Sequence, residues 1–417
     1  MSDPGHESPP PPSPVTSGAT YAIVILTMMN LLNYLDRYIP SVVKDLIKAD
    51  LHLTDAETSL PMTGFILVYM IASPIFGALA DRWPRKVIIA AGVAVWSCAT
   101  GAAAFATGFW TFMIARAVVG VGEAAYATLS PALLSDFFPP DRRNRVLTIF
   151  YVAIPVGSAL GFVLGGWLGG HYGWRAAFLI CGFPGIAVAL LALWIKDPGR
   201  GRFDTDSAVV PPRWPEAIRI LLRNQEFVLA VAGYAAVTFA SGALAEWFPT
   251  FLQRHRGMSI EASGHYVGLS AVVGGLLGTL GGGVLADYLR KWTRLPYWAL
   301  SGWTMVLATV FGTLALSLPD ANQAVAMLFL AQFFLWCYNG PINAILTNCV
   351  ASALRVRSFA LTILLIHLLG DAISPSIVGF ASDFVGLERA IQVVPLTMGL
   401  GALIWLYSWR AIPERAA

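Results

Sequence analysis

Gly77 to Lys86 reads GALADRWPRK, and Gly283 to Lys291 reads GVLADYLRK. Each closes an apolar run, the second and the eighth along the chain, and the two lie about half the chain apart. The chain is therefore read as two halves with one plan. A parallel repeat of six helices is one way in which transporters build two bundles around a site at the bilayer midplane.

Composition agrees with a membrane protein. Of 417 residues, 57% are hydrophobic and 12% charged, and the mean hydropathy is +0.66, values foreign to a domain that must solvate its surface. A hydrocarbon core of ~30 Å is crossed by about 20 apolar helical residues. Runs of that length begin near Tyr21, Thr58, Val87, Phe109, Arg145 and Trp174, and again near Glu226, Ala262, Pro296, Ala321, Arg357 and Ala390. The expected organisation is a disordered cytoplasmic tail (1–19, MSDPGHESPPPPSPVTSG at its start), an N-terminal six-helix bundle (20–195), a cytoplasmic linker (196–225) and a C-terminal six-helix bundle (226–417). The tail has neither the basic region nor the apolar core of a signal peptide. With the termini inside, nineteen of the 27 Lys and Arg fall on the inner side and six on the outer, so both termini are expected in the cytoplasm. Arg37 and Arg116 are the two left within spans. The four cysteines sit in apolar runs without metal or redox spacing, and a net charge of +3 suggests no nucleic-acid partner.

At these residues the chain resembles the major facilitator superfamily, whose loop motif between its second and third helices is similar to GALADRWPRK, with Pro84 where glycine is common. Within it, NYLDRYIPSVV, RAVVGVGEAAYATLSPALLSDFFPPDRRNR, YVAIPVGSALGFVLGGWLGGHYGWRAAF and GDAISPSIVG look like the Spinster family of lysolipid and sphingolipid transporters. The resemblance implies an all-α membrane protein with the superfamily's fold, 12 transmembrane helices in two six-helix bundles. It also implies a secondary transporter, working by alternating access, of a sphingosine 1-phosphate-type amphiphile. Organic-anion symporters of the superfamily also carry an acid and base in helix one and Arg and Glu in helix four, so a proton-coupled symporter of a sugar acid or carboxylate is the alternative. The expected setting is the plasma (inner) membrane, and the expected form a monomer with no cofactor or metal. No GxxxxGK[ST] loop or nucleophile arrangement appears, so neither ATP use nor an enzyme is expected.

Ionisable groups in the bilayer core are costly and normally mark a transport path. Counting inward from Val43 and Phe109, Asp36 and Arg116 each lie seven residues deep, ~10 Å, and Glu123 is nearly two turns further on the same face as Arg116. Asp36, Arg37, Arg116 and Glu123 are thus expected to form one cluster. Asp36 and Glu123 would carry the proton, with Arg37 and Arg116 offsetting charge and binding an anionic headgroup in the manner of a guanidinium. A buried salt bridge that only pins helix one to helix four is the competing reading. His367 and Asp371, four apart on helix eleven, are a second polar site or a structural hydrogen bond, and Glu246 is a candidate outer gate. Asp81, with Arg82 and Arg85 in its motif, is expected to close the cytoplasmic face against the start of helix eleven at Arg357, and Asp287 to do so against Arg145. Glycines every fourth residue in helix five (Gly157, Gly161, Gly165, Gly169) and helix eight (Gly274, Gly278, Gly282) are expected to let those helices slide across the bundle interface, ordinary packing within one bundle being the alternative.

Overall fold

The computed structural model describes residues 18–199, 212–289, 291–293, 295–351 and 354–412. Most of the tail, the middle of the linker, and Arg290 and Arg294 lie outside them. Everything regular among the described residues is helical: α1 (Ala19–Val42), α2 (Lys44–Leu51), α3 (Asp55–Leu79), α4 (Arg85–Ala103), α5 (Phe109–Ser135), α6 (Pro140–Gly182), α7 (Pro184–Ala192), α8 (Trp214–Arg223), α9 (Gln225–Arg256), α10 (Ile260–Leu289), α11 (Pro296–Ser317), α12 (Ala321–Trp336), α13 (Asn339–Asn348), α14 (Arg355–Ile366), α15 (Ser374–Val385), α16 (Leu387–Ala390) and α17 (Val393–Ala411).

Ten segments are long and apolar enough to cross a membrane. One of them, Arg145–Ala192, turns back at Gly173, whose φ of 82° and ψ of 165° lie outside the helical region and suit a residue without Cβ, so it crosses twice. The twelfth span is α1, whose apolar run is interrupted by Asn30, Asn33, Asp36 and Arg37. Two six-span bundles result, α1 with α3–α7 and α9–α17.

Local chemistry starts and stops these helices. Thr54 and Glu57 form a reciprocal capping box at α3, Asn224 and Asp320 accept N–H bonds at α9 and α12, and Gly257 ends α9 at φ 65°. Span eleven is not one continuous α-helix. Between α14 and α15, His367–Asp371 form a π-helical turn with Gly370 at φ −110°, ψ −109°. The first bundle is tied internally by Asn30 Nδ2 donating to the Phe150 carbonyl (2.9 Å) and Tyr126 to that of Leu26 (2.7 Å).

The glycine stripes correct an expectation. A Cβ on Gly157, Gly161, Gly165 or Gly169 would strike α1, at Leu31, Leu35, Ile39 with Val42, and Val43 in turn. One on Gly274, Gly278 or Gly282 would strike Gln332, Phe333 or Cys337 of span ten. Both stripes therefore pack inside their own bundles. The contact between bundles uses a neighbouring face of α6 and the first half of α10: Gly166 against the Ile260 carbonyl, Gly264 against that of Phe162, and Gly268 against that of Ala159. Each residue rotates the face by about 100°, so periodicity shows that a smooth face exists without showing which neighbour it meets. Gly161→Ala and Gly278→Ala should each cost about 1–3 kcal/mol through overpacking against backbone carbonyls. A melting temperature equal to wild type for both would refute that tight contact.

Candidate functional site

The charge cluster assembles where α1 and α5 meet α3. Glu123 is fully buried, and Arg37 Nη2 donates to its Oε2 at 2.6 Å. Arg116 is 1% exposed, and neither of its Nη atoms meets an acceptor among the described residues. Both guanidiniums lie on the ring of Phe65, Arg37 at 5.0 Å and Arg116 at 5.3 Å, while Tyr34 (4.7 Å) and Tyr69 (5.9 Å) complete an aromatic shell around Arg37. Asp36 is equally buried, with Oδ1 unbonded, and lies within electrostatic range of Arg116 and Glu123. All four sequence candidates are thus brought together. The pairing is specific: Glu123 takes Arg37 from the adjacent helix, leaving Arg116 charged, buried and without a bonded acceptor.

His367 Nδ1 meets Asp371 Oδ1 at 2.8 Å and Oδ2 at 3.1 Å, both half-buried on the π-turn. Beside the π-turn, Thr63 of α3 donates to the Ala372 carbonyl at 2.6 Å and lies 2.7 Å from Ser376 Oγ.

At the end of the molecule away from both termini the bundles are sealed by a network that sequence reasoning largely missed. Glu246 of α9 pairs with Lys44 and accepts from Ser41 Oγ (2.7 Å), all three buried, with Lys44 4.3 Å above the Trp247 ring. Arg254 holds Asp45 through Nε (3.0 Å to each oxygen) and Asp55 through Nη1 and Nη2 (2.8 Å each). Asp55 also accepts from Lys48 (2.6 Å) and from Ser382 (2.6 Å) of the other bundle. Asp383 then receives the Asp55 and Ala56 N–H groups at 2.9 and 3.0 Å, capping α3 from the opposite half of the chain. Of these residues the sequence singles out Glu246, as a candidate outer gate. Asp45, Asp55, Arg254 and Asp383 carried no signal beyond lying at span ends.

The gate residues at the other end are arranged differently from the sequence expectation. Arg85 bonds within its own bundle, to Asp136 (2.6 Å) and Asp197 (3.2 Å), fixing the start of α4 to the end of α5 and the head of the linker. Arg357 lies 5.4 Å from the Trp214 ring of α8 and forms no ion pair with Asp81. Asp81, Arg82, Asp287 and Arg145 are exposed. The start of α14 packs on α8 and α9 of its own half, which places the Arg357 guanidinium on Trp214.

Twelve spans in two bundles enclosing buried charge define a transporter of the Major Facilitator Superfamily, whose family model matches residues 26–375. Protein spinster homolog 1 of Xenopus tropicalis is 34% identical over 388 residues, covering 88% of this chain and 74% of that protein, and its human counterpart is 35% identical over 382 residues (87% and 72%). The chain belongs to the Spinster family, a family of transporters and not an enzyme class. A crystal structure described as a bacterial homolog to human lysosomal transporter Spinster, inward-facing and unoccupied, shares the fold, with a TM-score of 0.85 at 22% identity over 95% of this chain and 98% of that one.

Proposed function

We propose that the protein transports a lysolipid or sphingolipid-like amphiphile, of the sphingosine 1-phosphate type, by alternating access, with proton coupling or modulation through Asp36 and Glu123. The observation that carries this reading is Arg116, a buried guanidinium with two unbonded Nη atoms beside a cluster already holding its own ion pair. Leaving such a cation uncompensated is expensive. A phosphate or carboxylate supplies the missing acceptors in the bidentate geometry a guanidinium favours. The ring of Phe65 beside both arginines suits a ligand whose charged head continues into apolar substance. Protonation of Glu123 would release Arg37 and add a second guanidinium for the anion, so proton uptake would favour anion binding.

With both termini in the cytoplasm of a plasma-membrane protein, the sealed end is the outer one and the state described here faces inward. In the opposite state Asp81 and Asp287 would draw toward Arg357 and Arg145. Asp81→Asn should then favour the present state, about tenfold for each 1.4 kcal/mol lost. Spin labels on the two bundles would read the change as a longer separation at the terminal face, and identical distance distributions would refute this gate.

Uptake into proteoliposomes, with lysolipids and small organic acids compared with and without a pH gradient, tests the function. Uptake of lysolipids that responds to the gradient supports it. Uptake confined to organic acids would replace it with the symporter reading.

A further inference from the structure

The linker helix α8 bears no relation to the charge cluster, and its pattern is unlike that of any span. At about 100° per residue, Ala217, Leu221, Trp214, Ile218 and Leu222 fall on one continuous arc, and Arg219, Arg223 and Glu216 on the opposite one. Only part of the apolar arc is used by the protein. Ala217 and Leu221 on one side of it are fully buried, whereas Trp214 (48%) at its middle and Leu222 (54%) at its other edge are exposed. Arg213, Arg219 and Arg223 are also exposed, and the side chain of none of them meets a carboxylate among the described residues.

Position gives this arrangement meaning. Only Asn224 separates α8 from α9, and that residue both caps α9 and donates to the Cys349 carbonyl at the end of span ten (2.7 Å). At the other end of α8 the Trp214 ring meets Arg357 at the start of span eleven. A ten-residue helix, ~15 Å long, touching the entrances of two spans on the same face is placed at the end of the bundle, where those spans leave the membrane.

We propose that α8 is a lipid-docking helix, inserting the Trp214–Leu222 flank into the leaflet on the side of the chain termini and gathering anionic phospholipid headgroups on Arg213, Arg219 and Arg223. An apolar flank and a cationic edge on one helix are what interfacial binding requires: buried apolar area supplies adhesion, and the charges supply preference for anionic lipid. A free protein partner would have to displace lipid from that flank, and the net positive charge of the segment complements an anionic leaflet.

The test uses the full-length protein in phosphatidylcholine nanodiscs with and without phosphatidylglycerol, with the exposed Cys98 changed to serine. Nitroxides at 222 and at 219 are compared for collision with oxygen and with a water-soluble nickel chelate. The label at 222 should favour oxygen and that at 219 the chelate. Native mass spectrometry should show phosphatidylglycerol binding weakened by about fivefold per arginine in Arg213→Gln, Arg219→Gln and Arg223→Gln, combined stepwise, with phosphatidylcholine adducts unchanged. A label at 222 that reads as aqueous would overturn the docking. Undiminished phosphatidylglycerol binding by the triple variant would overturn the anionic preference. Both readings are independent of what the central cavity carries.

Discussion

Glu246→Ala should open the sealed end of the transporter. The substitution strands Lys44, a cation 2% exposed, against Trp247 with no carboxylate beside it. Removing one member of a buried pair costs about 3–5 kcal/mol. That cost applies to the closed arrangement alone, since separation of α1 from α9 returns Lys44 to water. The equilibrium should therefore move by about two to three and a half decades toward the state open at this end. Labels at the exposed positions Ala49 and Glu388, one on each bundle, would report the change by double electron-electron resonance. Replacing both partners, Lys44→Met with Glu246→Leu, should restore closure, because an apolar pair fills the space without an uncompensated charge. A double variant that stays open would show that closure needs the ion pair itself, and an unchanged distance in the single variant would show that the seal is held by the rest of the network. In that case Arg254, which joins Asp45 and Asp55 across the bundles, is the member to remove next.

The second large effect concerns the central cluster. Arg116→Ala should weaken binding of an anionic amphiphile by about 30-fold to 1,000-fold, the loss of two charge-assisted hydrogen bonds at about 1–2 kcal/mol each net. Arg116→Lys should recover little, since an ammonium lacks the planar fork. Glu123→Gln has the opposite signature. It keeps the shape, holds position 123 permanently neutral and frees Arg37, so transport should lose its response to pH while binding persists. Asp36→Asn should do the same if Asp36 shares the proton. A cluster that merely pins α1 to α5 predicts something else: all four substitutions lower melting temperature together with no selective change in pH response. Measuring thermal stability beside pH-dependent flux for the same proteins separates the two, and parallel losses would end the proton-switch reading.

Much of the architecture was legible in the chain. Twelve apolar runs, the repeated GxLAD motif and the Spinster-like stretches led to the observed fold, because hydrocarbon thickness imposes span length on sequence directly. Charges inside spans are conspicuous for the same energetic reason, so Asp36, Arg37, Arg116 and Glu123 stood out as a group. Partner choice did not. Helical spacing places Glu123 on the face of Arg116, yet it bonds Arg37 on a neighbouring helix, since only the rotation and separation of two packed helices decide which guanidinium arrives. The glycine stripes failed similarly: period four announces a smooth face, and the neighbour that fills it is set a residue, or 100°, away.

Apart from Glu246, the seal at the far end belongs to tertiary structure. Asp383 caps a helix that starts at Asp55, 328 residues earlier, and Arg254 reaches back 209 residues to Asp45. Polar residues at span ends cost nothing to place there, so they leave no mark in the sequence until folding brings two bundles together. The amino-acid sequence by itself determined the number of spans, their pairing into halves and the presence of buried charge. Which charges pair, which faces touch and which end is closed were decided by packing, because those depend on the relative rotation of rigid helices, a quantity no local pattern encodes.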